Sequence, residues 1–224
     1  MKRIMFLMYI AYVILSFVNS SPTFDVSKLK ASKETDQIML VMPYSYSSYS
    51  ARLYYYIKDE SGKWNEIINT ECNIGKNGLG KQREGDYKTP IGKFNFTKLF
   101  GIAENPGTKL PYLQVNDSIW WNCDSKSSEY NMMINTEYYT KEFDKNESEH
   151  IIEYKSGYVY TMSLNYNPDR IPYKGCAIFL HCFTENPYTG GCVAISEEKM
   201  KTVITNANEN SIIIIDELKN IYNY

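Results

Sequence analysis

Two apolar runs near the end of the chain, separated by a short polar segment, constrain its fold more than any other feature. Residues 177–183 form the first run and residues 192–195 the second, with Asn186-Pro187 between them. Short apolar runs bounded by turn residues are typical of buried strands. We therefore predict that the two runs pair as antiparallel strands, with the turn at Asn186-Pro187.

The predicted pairing places His181, one of only two histidines in the chain, opposite Cys192. Directly opposed residues have Cβ atoms about 4.5–5.5 Å apart, which is close to the reach of a thiol for an imidazole. Because a cysteine is a nucleophile as its thiolate, and a nearby imidazole is the usual means of generating one, we predict that Cys192 and His181 form a catalytic pair. The alternative for each residue alone is a structural place in the core, which is common for free cysteines and for histidines on apolar strands.

Two neighbouring features favour the catalytic interpretation. Gly190-Gly191 leaves bare backbone beside Cys192, so we predict that the N–H groups of Gly191 and Cys192 form an oxyanion hole. Side chains alternate along a strand, so His181 should point away from Cys182. Cys182 is therefore expected to be the poorer nucleophile although it is adjacent to the histidine.

Residues 189–193 read Thr-Gly-Gly-Cys-Val and follow the apolar run that contains His181. This segment resembles the signature of the YkuD-type L,D-transpeptidases, which is a strand ending in His, a loop, and then Ser/Thr-His-Gly-Cys with an aliphatic residue. Gly190 stands where most members have a second histidine, and the loop from His181 is shorter than usual. A subgroup of the family carries this Gly-Cys-Val form.

The resemblance continues upstream of this segment. Residues 85–92 resemble the family's Gly-Asp-x-x-Thr-Pro-x-Gly segment, and weaker similarities lie at 120–131 and 165–167. In this order the segments cover about 37–216, which is nearly the whole chain after its first residues.

The resemblance implies a mainly β fold, the YkuD-like L,D-transpeptidase β-sandwich, here with one late short helix. It also implies a secreted cysteine acyltransferase that acts on peptidoglycan stem peptides or related cell-wall peptides and needs no cofactor. The Cys192 thiolate would attack the carbonyl at the L-centre of the diamino acid in a tetrapeptide stem, with D-alanine leaving. An amine of a second stem would then take the acyl group, which cross-links the two stems.

Three alternatives remain open at this stage. Water in place of the amine would make the protein an L,D-carboxypeptidase-type hydrolase on the same substrates, because the choice depends on how water is excluded from the acyl-enzyme. The second alternative is a catalytically inactive cell-wall-binding protein of the same fold, against which the joint presence of His181, Gly191 and Cys192 argues. The third is a β-domain stabilised by disulfides, without enzymatic activity.

Turn signals recur at short intervals from Gln37 onward, and the runs between them are rich in β-branched and aromatic residues, which favour strands. We predict strands at 37–42, 51–59, 63–72, 91–99, 112–115, 151–154, 158–164, 176–183 and 212–215. One helix is predicted at 197–206, because Ser196 is a good N-cap and two glutamates occupy the first turn. The charged segment 141–150 is predicted to be a surface loop with His150 in solvent.

The first twenty residues have the pattern of a signal peptide. Lys2 and Arg3 precede an uncharged apolar stretch at 4–18, and small residues follow at a cleavage site near Ser20-Ser21. The stretch is shorter than the ~20 residues needed to span a bilayer, so we predict cleavage, a secreted or periplasmic location and no stable membrane insertion. The expected organisation is a signal peptide at 1–20, a polar lead-in at 21–36, an L,D-transpeptidase-like catalytic domain at 37–217 and a C-terminal tail at 218–224.

Charge and composition narrow the range of partners. Removal of the predicted signal peptide leaves 22 basic and 26 acidic side chains, a net charge of −4. This balance, without a basic cluster, argues against nucleic acid and anionic membrane surfaces as partners. The two histidines and five scattered cysteines give no paired metal-ligand spacing, so no metal site is predicted. The oligomeric state does not follow from these features.

The five cysteines are an odd number, so at least one thiol stays free. If that thiol is Cys192, four others remain: Cys72, Cys123, Cys176 and Cys182. A bridge between Cys176 and Cys182 is excluded, because six residues of extended chain span about 20 Å and bridged Cα atoms lie within about 7 Å. Either each of these two pairs with Cys72 or Cys123, or Cys72 pairs with Cys123 and the other two stay free. Full reduction of all five is the remaining alternative. In the oxidised protein we expect Cys192 to be the only reactive thiol.

Overall fold

The computed structural model describes residues 24–224. The predicted signal peptide at 1–20, its cleavage site and the start of the lead-in lie outside the described residues. The described part is mainly β with one α-helix, so the predicted fold class is confirmed. Its strands are β1 (Gln37–Pro43), β2 (Ser50–Lys58), β3 (Trp64–Asn73), β4 (Gly92–Gly101), β5 (Tyr112–Gln114), β6 (Ile119–Asn122), β7 (Met132–Asn135), β8 (Glu149–His150), β9 (Thr161–Leu164), β10 (Phe179–Cys182), β11 (Val193–Ile195) and β12 (Ile212–Ile215). Short 3-10 helices lie at Val26–Lys28, Lys30–Lys33, Ile151–Glu153 and Ile221–Asn223.

Nine of these strands form one sheet that closes on itself. Its order is β12-β1-β2-β3-β11-β10-β9-β4-β5, and β12 pairs with β4 as well as with β1. β12 consists of four isoleucines, all buried, which fits a strand that is covered on both faces. It runs parallel to β1 and antiparallel to β4. Hydrogen bonds on both edges of β12 therefore close the sheet.

The α-helix, α1 (Glu197–Asn206), has the bounds that its sequence predicts. The Ser196 hydroxyl accepts a hydrogen bond from the Lys199 N–H at 3.4 Å, which confirms the predicted N-cap. α1 packs against β9 and β10. Its buried side chains are spaced three and four residues apart on one face: Met200, Val203 and Ile204. Among residues 24–224, no helix has the length and apolar character needed to cross a membrane.

A second sheet of three antiparallel strands, in the order β7-β6-β8, was not predicted by the sequence. Within it, Glu149–His150 pairs with Trp120 and Trp121 of β6, although 141–150 is predicted to be a loop. Ile151–Glu153 is a 3-10 helix rather than the predicted strand. These strands have two to four residues, too few for the alternation by which a strand is recognised in sequence.

The expectation that His150 is solvated is wrong. Its ring stacks on the Trp120 ring, with centroids 4.2 Å apart and planes 5° from parallel. Its Nε2 lies 2.8 Å from the carbonyl oxygen of Asp117, and its side chain is 13% exposed. His150 therefore helps to hold β8 against β6.

One disulfide, Cys123–Cys176, links the end of β6 to the segment before β10, with Cα atoms 5.8 Å apart. Cys72, Cys182 and Cys192 are free and buried, so neither of the two predicted arrangements of the four other cysteines is found, and the alternative of five reduced cysteines is also wrong. The strand register explains this outcome, because β11 lies between β3, which carries Cys72, and β10, which carries Cys182. Two strand spacings amount to about 9.5 Å, which exceeds the reach of a disulfide.

Candidate active site

β10 and β11 run parallel to each other, so the predicted antiparallel hairpin is wrong. His181 is aligned with Ala194 rather than with Cys192. The physical reason is the length of the connection, since residues 183–192 are enough to carry the chain back to the end of the sheet where β10 begins. On the way, the Thr189 N–H donates to the Ile74 carbonyl at 2.9 Å, which fixes the returning segment beside the end of β3.

The crossover nevertheless brings the predicted pair to one place. Cys192 lies directly before β11, and the Phe179 N–H at the start of β10 donates to its Sγ at 3.3 Å. The thiol in turn donates to the carbonyl of Ala177 at 3.2 Å. His181 and Cys192 both line a cavity of about 420 Å³, which we call the thiol cavity. Thr189, Gly190 and Gly191 line it as well.

Cys192 is a thiol rather than a thiolate in this environment. Its side chain belongs to a core cluster with Phe179 and Trp121, and the residue is 8% exposed. Burial, and after it the negative charge of Glu149, raises the pKa of the thiol to about 12, although the Phe179 N–H and the Lys81 ammonium act in the opposite direction. The proton must therefore leave during the reaction.

His181 is the group that can take this proton. Its Nδ1 lies 2.7 Å from the carbonyl oxygen of Cys182, and because a carbonyl only accepts, Nδ1 carries the hydrogen and Nε2 is left unprotonated. Burial lowers the pKa of His181 to about 4, although the carbonyls of Cys182 and Gly157 raise it. The imidazole is thus neutral at physiological pH. The Tyr158 ring packs edge-on against it, with centroids 5.4 Å apart.

The two N–H groups predicted as an oxyanion hole lie beside the thiol, in the turn before β11. The Gly191 N–H donates to the Thr189 hydroxyl oxygen at 3.1 Å, and that hydroxyl donates to the carbonyl of Cys192 at 2.7 Å. Gly191 has φ +150, and a Cβ atom there would lie 2.8 Å from the carbonyl oxygen of Lys88. A Cβ atom on Gly190 would meet nothing within 4 Å. The loop thus requires glycine at 191 and not at 190.

The segment 85–92, singled out by its resemblance, packs behind this loop. Asp86 accepts hydrogen bonds from the N–H groups of Gln82, Arg83 and Lys88 at 2.7–3.0 Å. Burial raises the pKa of Asp86, but these N–H groups and the Lys81 ammonium lower it below its ordinary value overall. Lys81, whose side chain is 2% exposed, pairs with Asp86 at 3.1 Å and also lines the thiol cavity.

The backbone next to the thiol is strained at Ala177 and is held in place by Asn131, which lies directly before β7. Ala177, whose carbonyl accepts the thiol hydrogen, has φ +54, a region that L-residues other than Asn and Asp avoid. The Asn131 Oδ1 accepts the Ala177 N–H at 3.1 Å and the Trp121 indole N–H at 3.0 Å. Asn131 thus fixes the strained turn.

The sequence analysis did not identify two carboxylates that line the thiol cavity, those of Glu84 and Glu149. Glu149 accepts a hydrogen bond from the Tyr158 hydroxyl at 2.7 Å, and Glu84 accepts one from the Tyr130 hydroxyl. Burial raises the pKa of Glu149 to about 7, which the Tyr158 hydroxyl opposes and the charge of Glu84 supports. No sequence signal marked Glu149, because it lies in a charged segment that is typical of a loop.

Comparison with known families gives a match over most of the chain. The sequence model of the family described as YkuD, L,D-transpeptidase catalytic domain, matches residues 44–215. No curated protein matches the chain significantly.

Two solved structures are similar to the chain at low identity. One is the helical cell shape determining protein Pgp2 from Campylobacter jejuni, with 15% identity and a TM-score of 0.41, over 81% of this chain and 48% of that chain. The other is an L,D-transpeptidase (Yku) from Stackebrandtia nassauensis, with 13% identity and a TM-score of 0.37, over 82% of this chain and 56% of that chain. The chain thus spans about half the length of each.

Proposed function

This chain belongs to the family of YkuD L,D-transpeptidase catalytic domains, and on that premise we propose that it forms an acyl-enzyme on Cys192 with peptidoglycan stem peptides and passes the acyl group to an amine. One observation carries the proposal: a buried thiol and a neutral imidazole with a free Nε2 line the same cavity. Residues 37–217 are the proposed catalytic domain. Residues 1–20 are the proposed export signal, which would bring the protein to the cell wall.

In the first step the Cys192 sulfur attacks the carbonyl at the L-centre of the diamino acid. His181 Nε2 takes the thiol proton as the C–S bond forms, because the pKa of the thiol is too high for a thiolate to exist beforehand. The Cys182 carbonyl holds Nδ1–H, which orients the ring and stabilises the imidazolium. The C–N bond to D-alanine then breaks, and the imidazolium returns its proton to the leaving amine.

In the second step an amine of another stem attacks the thioester. His181 takes a proton from the amine, the C–S bond breaks, and the proton passes to the sulfur, which restores the thiol. The N–H groups of Gly191 and Cys192 are the proposed oxyanion donors in both steps. For this role the Gly191 N–H must exchange the Thr189 hydroxyl for the oxyanion, and the rotatable hydroxyl makes that exchange easy.

The proposal is tested with purified tetrapeptide-stem muropeptides. We expect release of D-alanine and a covalent adduct on Cys192 that lacks D-alanine, both followed by mass spectrometry. Cys192→Ala and His181→Ala should each abolish turnover, and the double variant should be no worse, because residues that act as one unit are not additive. Cys72→Ala, at a core position that does not line the cavity, is the control that keeps the adduct.

The products separate the alternatives. Cross-linked dimers would assign transpeptidation, and tripeptides without dimers would assign hydrolysis. An adduct on Cys182, or binding of the muropeptides without release of D-alanine, would contradict the proposal. N-terminal sequencing of exported protein checks the signal: a chain that starts near Ser21 supports cleavage, and one that retains Met1 refutes it.

A further inference from the structure

A buried ion pair, Lys81–Asp86, lies against the turn that carries the proposed oxyanion donors. The Lys81 side chain is 2% exposed and that of Asp86 is 11% exposed, with Nζ 3.1 Å from Oδ1. The desolvation of a buried pair is often not offset by its attraction, and apolar side chains of similar volume can be as good for stability. Stability alone therefore does not explain a lysine at position 81, and its charge must be considered.

The Lys81 side chain is packed between two glycines. A Cβ atom on Gly175 would lie 2.6 Å from Lys81 Cε, so the lysine occupies the space that a side chain at 175 would need. On the other side, Lys81 Nζ is 3.5 Å from the position that a Cβ atom of Gly191 would take. The ammonium is thus in contact with Gly191, whose N–H is a proposed oxyanion donor.

The ion pair is oriented with its positive end towards the thiol. Lys81 lines the thiol cavity, whereas Asp86 does not. Nζ donates to the Arg83 carbonyl at 3.3 Å as well as to Asp86, and Asp86 is itself held by three backbone N–H groups. These hydrogen bonds fix the position of the charge before any reaction, which is what electrostatic stabilisation of a transition state requires.

Of the residues within 24–224 that line the thiol cavity, Lys81 is the sole lysine or arginine. Glu84 and Glu149 are acidic, and the other ionisable groups of the lining are tyrosines, His181 and the thiol itself. Burial and the charge of Glu149 raise the pKa of Cys192, whereas the Phe179 N–H and the charge of Lys81 lower it. Without Lys81, the carboxylates would oppose an anion in the cavity with no cation to balance them.

We propose that Lys81 is a positioning residue of the reaction, whose buried ammonium stabilises the negative charge that forms on the Cys192 sulfur and on the oxyanion. This inference rests on the proposed function, which places both charges in the thiol cavity. Lys81 acts through its field and through Gly191 rather than by contact with substrate, because its side chain is almost fully covered. Its charge is effective at this range because protein screens it less than water would.

The first test is alkylation of Cys192 by iodoacetamide from pH 7 to 10, with mass mapping of the labelled residue. The reagent reacts with the thiolate and needs no substrate. We expect Lys81→Met to react about tenfold more slowly than the wild type, because a nearby opposite charge commonly changes the thiolate fraction by that factor or more. Lys199→Met, at a partly exposed lysine of α1, makes the same chemical change away from the cavity and should leave the rate unchanged.

Asp86→Asn separates the charge of Lys81 from a structural role of the pair. This variant keeps the ammonium, removes the charge that compensates it and weakens the same loop. We therefore expect alkylation of Cys192 to be at least as fast as in the wild type. A pair that only holds the loop predicts slower alkylation in both variants. Circular dichroism shows whether each protein is folded, and if Lys81→Met does not fold, the rate of Asp86→Asn decides.

Equal alkylation rates in the wild type and Lys81→Met would overturn the inference, no labelling of either included, as would slower alkylation of folded Asp86→Asn. Release of D-alanine is measured separately. Lys81→Met should lower kcat about tenfold and leave KM within about twofold, because the lysine does not contact bound substrate. Slower alkylation in a protein whose wild type releases no D-alanine would remove the proposed function and keep the electrostatic role of Lys81. Release with unchanged alkylation would do the reverse.

Discussion

At the scale of single residues, the neutral state of the Cys192–His181 pair governs how the site responds to pH. Burial holds the pKa of His181 near 4, so the imidazole stays a competent base at pH values where an ordinary histidine is protonated. We expect kcat/KM to hold down to about pH 5 and to fall as the pH approaches 4. Rates of D-alanine release across pH 4–8 check this.

The same rate measurements are made on Glu149→Gln. This substitution removes the other group that titrates in this range, since burial raises the pKa of Glu149 to about 7. Circular dichroism at each pH confirms folding. That control is needed because the unfolded chain takes up a proton on His181 below about pH 6.5, which lowers the stability of the fold as the pH falls, whereas the raised pKa of Glu149 acts in the opposite direction in the wild type. An acid limb centred near 6.5 in both proteins would contradict the lowered pKa of His181.

The adjacent glycines give a second prediction at this scale. Gly191→Ala places a Cβ against the Lys88 carbonyl at a positive φ, so the loop must shift, and displacement of a nucleophile by about 1 Å costs about 100-fold in rate. Gly190→Ala adds a Cβ that meets nothing within 4 Å and should keep activity within about twofold. Kinetics and adduct formation measure both. Equal losses at the two positions would contradict this account.

The identities of the nucleophile and base could be predicted from residue types, but their mutual geometry could not. The antiparallel prediction rested on Asn186-Pro187 as a turn, whereas the direction of β11 is set by long-range pairing with β3 on one side and β10 on the other. Likewise Asn131, Lys81 and Glu149 reach the site from distant segments. Their roles depend on tertiary packing, which local pattern does not encode.

At the scale of secondary-structure elements, α1 and β12 were predicted with their bounds because each has a complete local signal. α1 has a cap and an apolar face, and β12 is an uninterrupted aliphatic run. The small sheet has no such signal, since its strands are held by side-chain contacts such as the stacking of His150 on Trp120. Its absence from the prediction is also why Glu149 was missed.

That stacking gives the third prediction. His150→Ala removes the contact with Trp120 and the hydrogen bond to the Asp117 carbonyl, which should lower the free energy of unfolding by about 1–2 kcal/mol. Urea denaturation measures the change. Tyr138→Ala, at a tyrosine that is 79% exposed after β7, is the control and should be neutral. If the two variants were equally stable, the stacking would have no structural role.

At the scale of the whole molecule, the Cys123–Cys176 disulfide ties the small sheet to the main one across 53 residues. Replacement of both cysteines by serine should cost about 2–5 kcal/mol, which lowers Tm by about 4–20 °C for a chain of this size. Thermal melts of the wild type and the double variant test this. A reductant should lower the Tm of the wild type but not that of the double variant. A wild-type Tm that is the same with and without reductant would refute the prediction.

The closure of the main sheet through β12 has a consequence for when the chain can fold. Its first strand, β1, pairs with β12, which comes much later in the chain, with contacts such as Ile38 to Ile212. Until 212–215 are available, β1 and β4 each have an unpaired edge and the main sheet stays open. The main sheet can therefore close only after 212–215 have been synthesised. A chain threaded through a secretion channel must stay extended until it has passed, and under the export that we propose the order of the strands along the sequence would supply that delay.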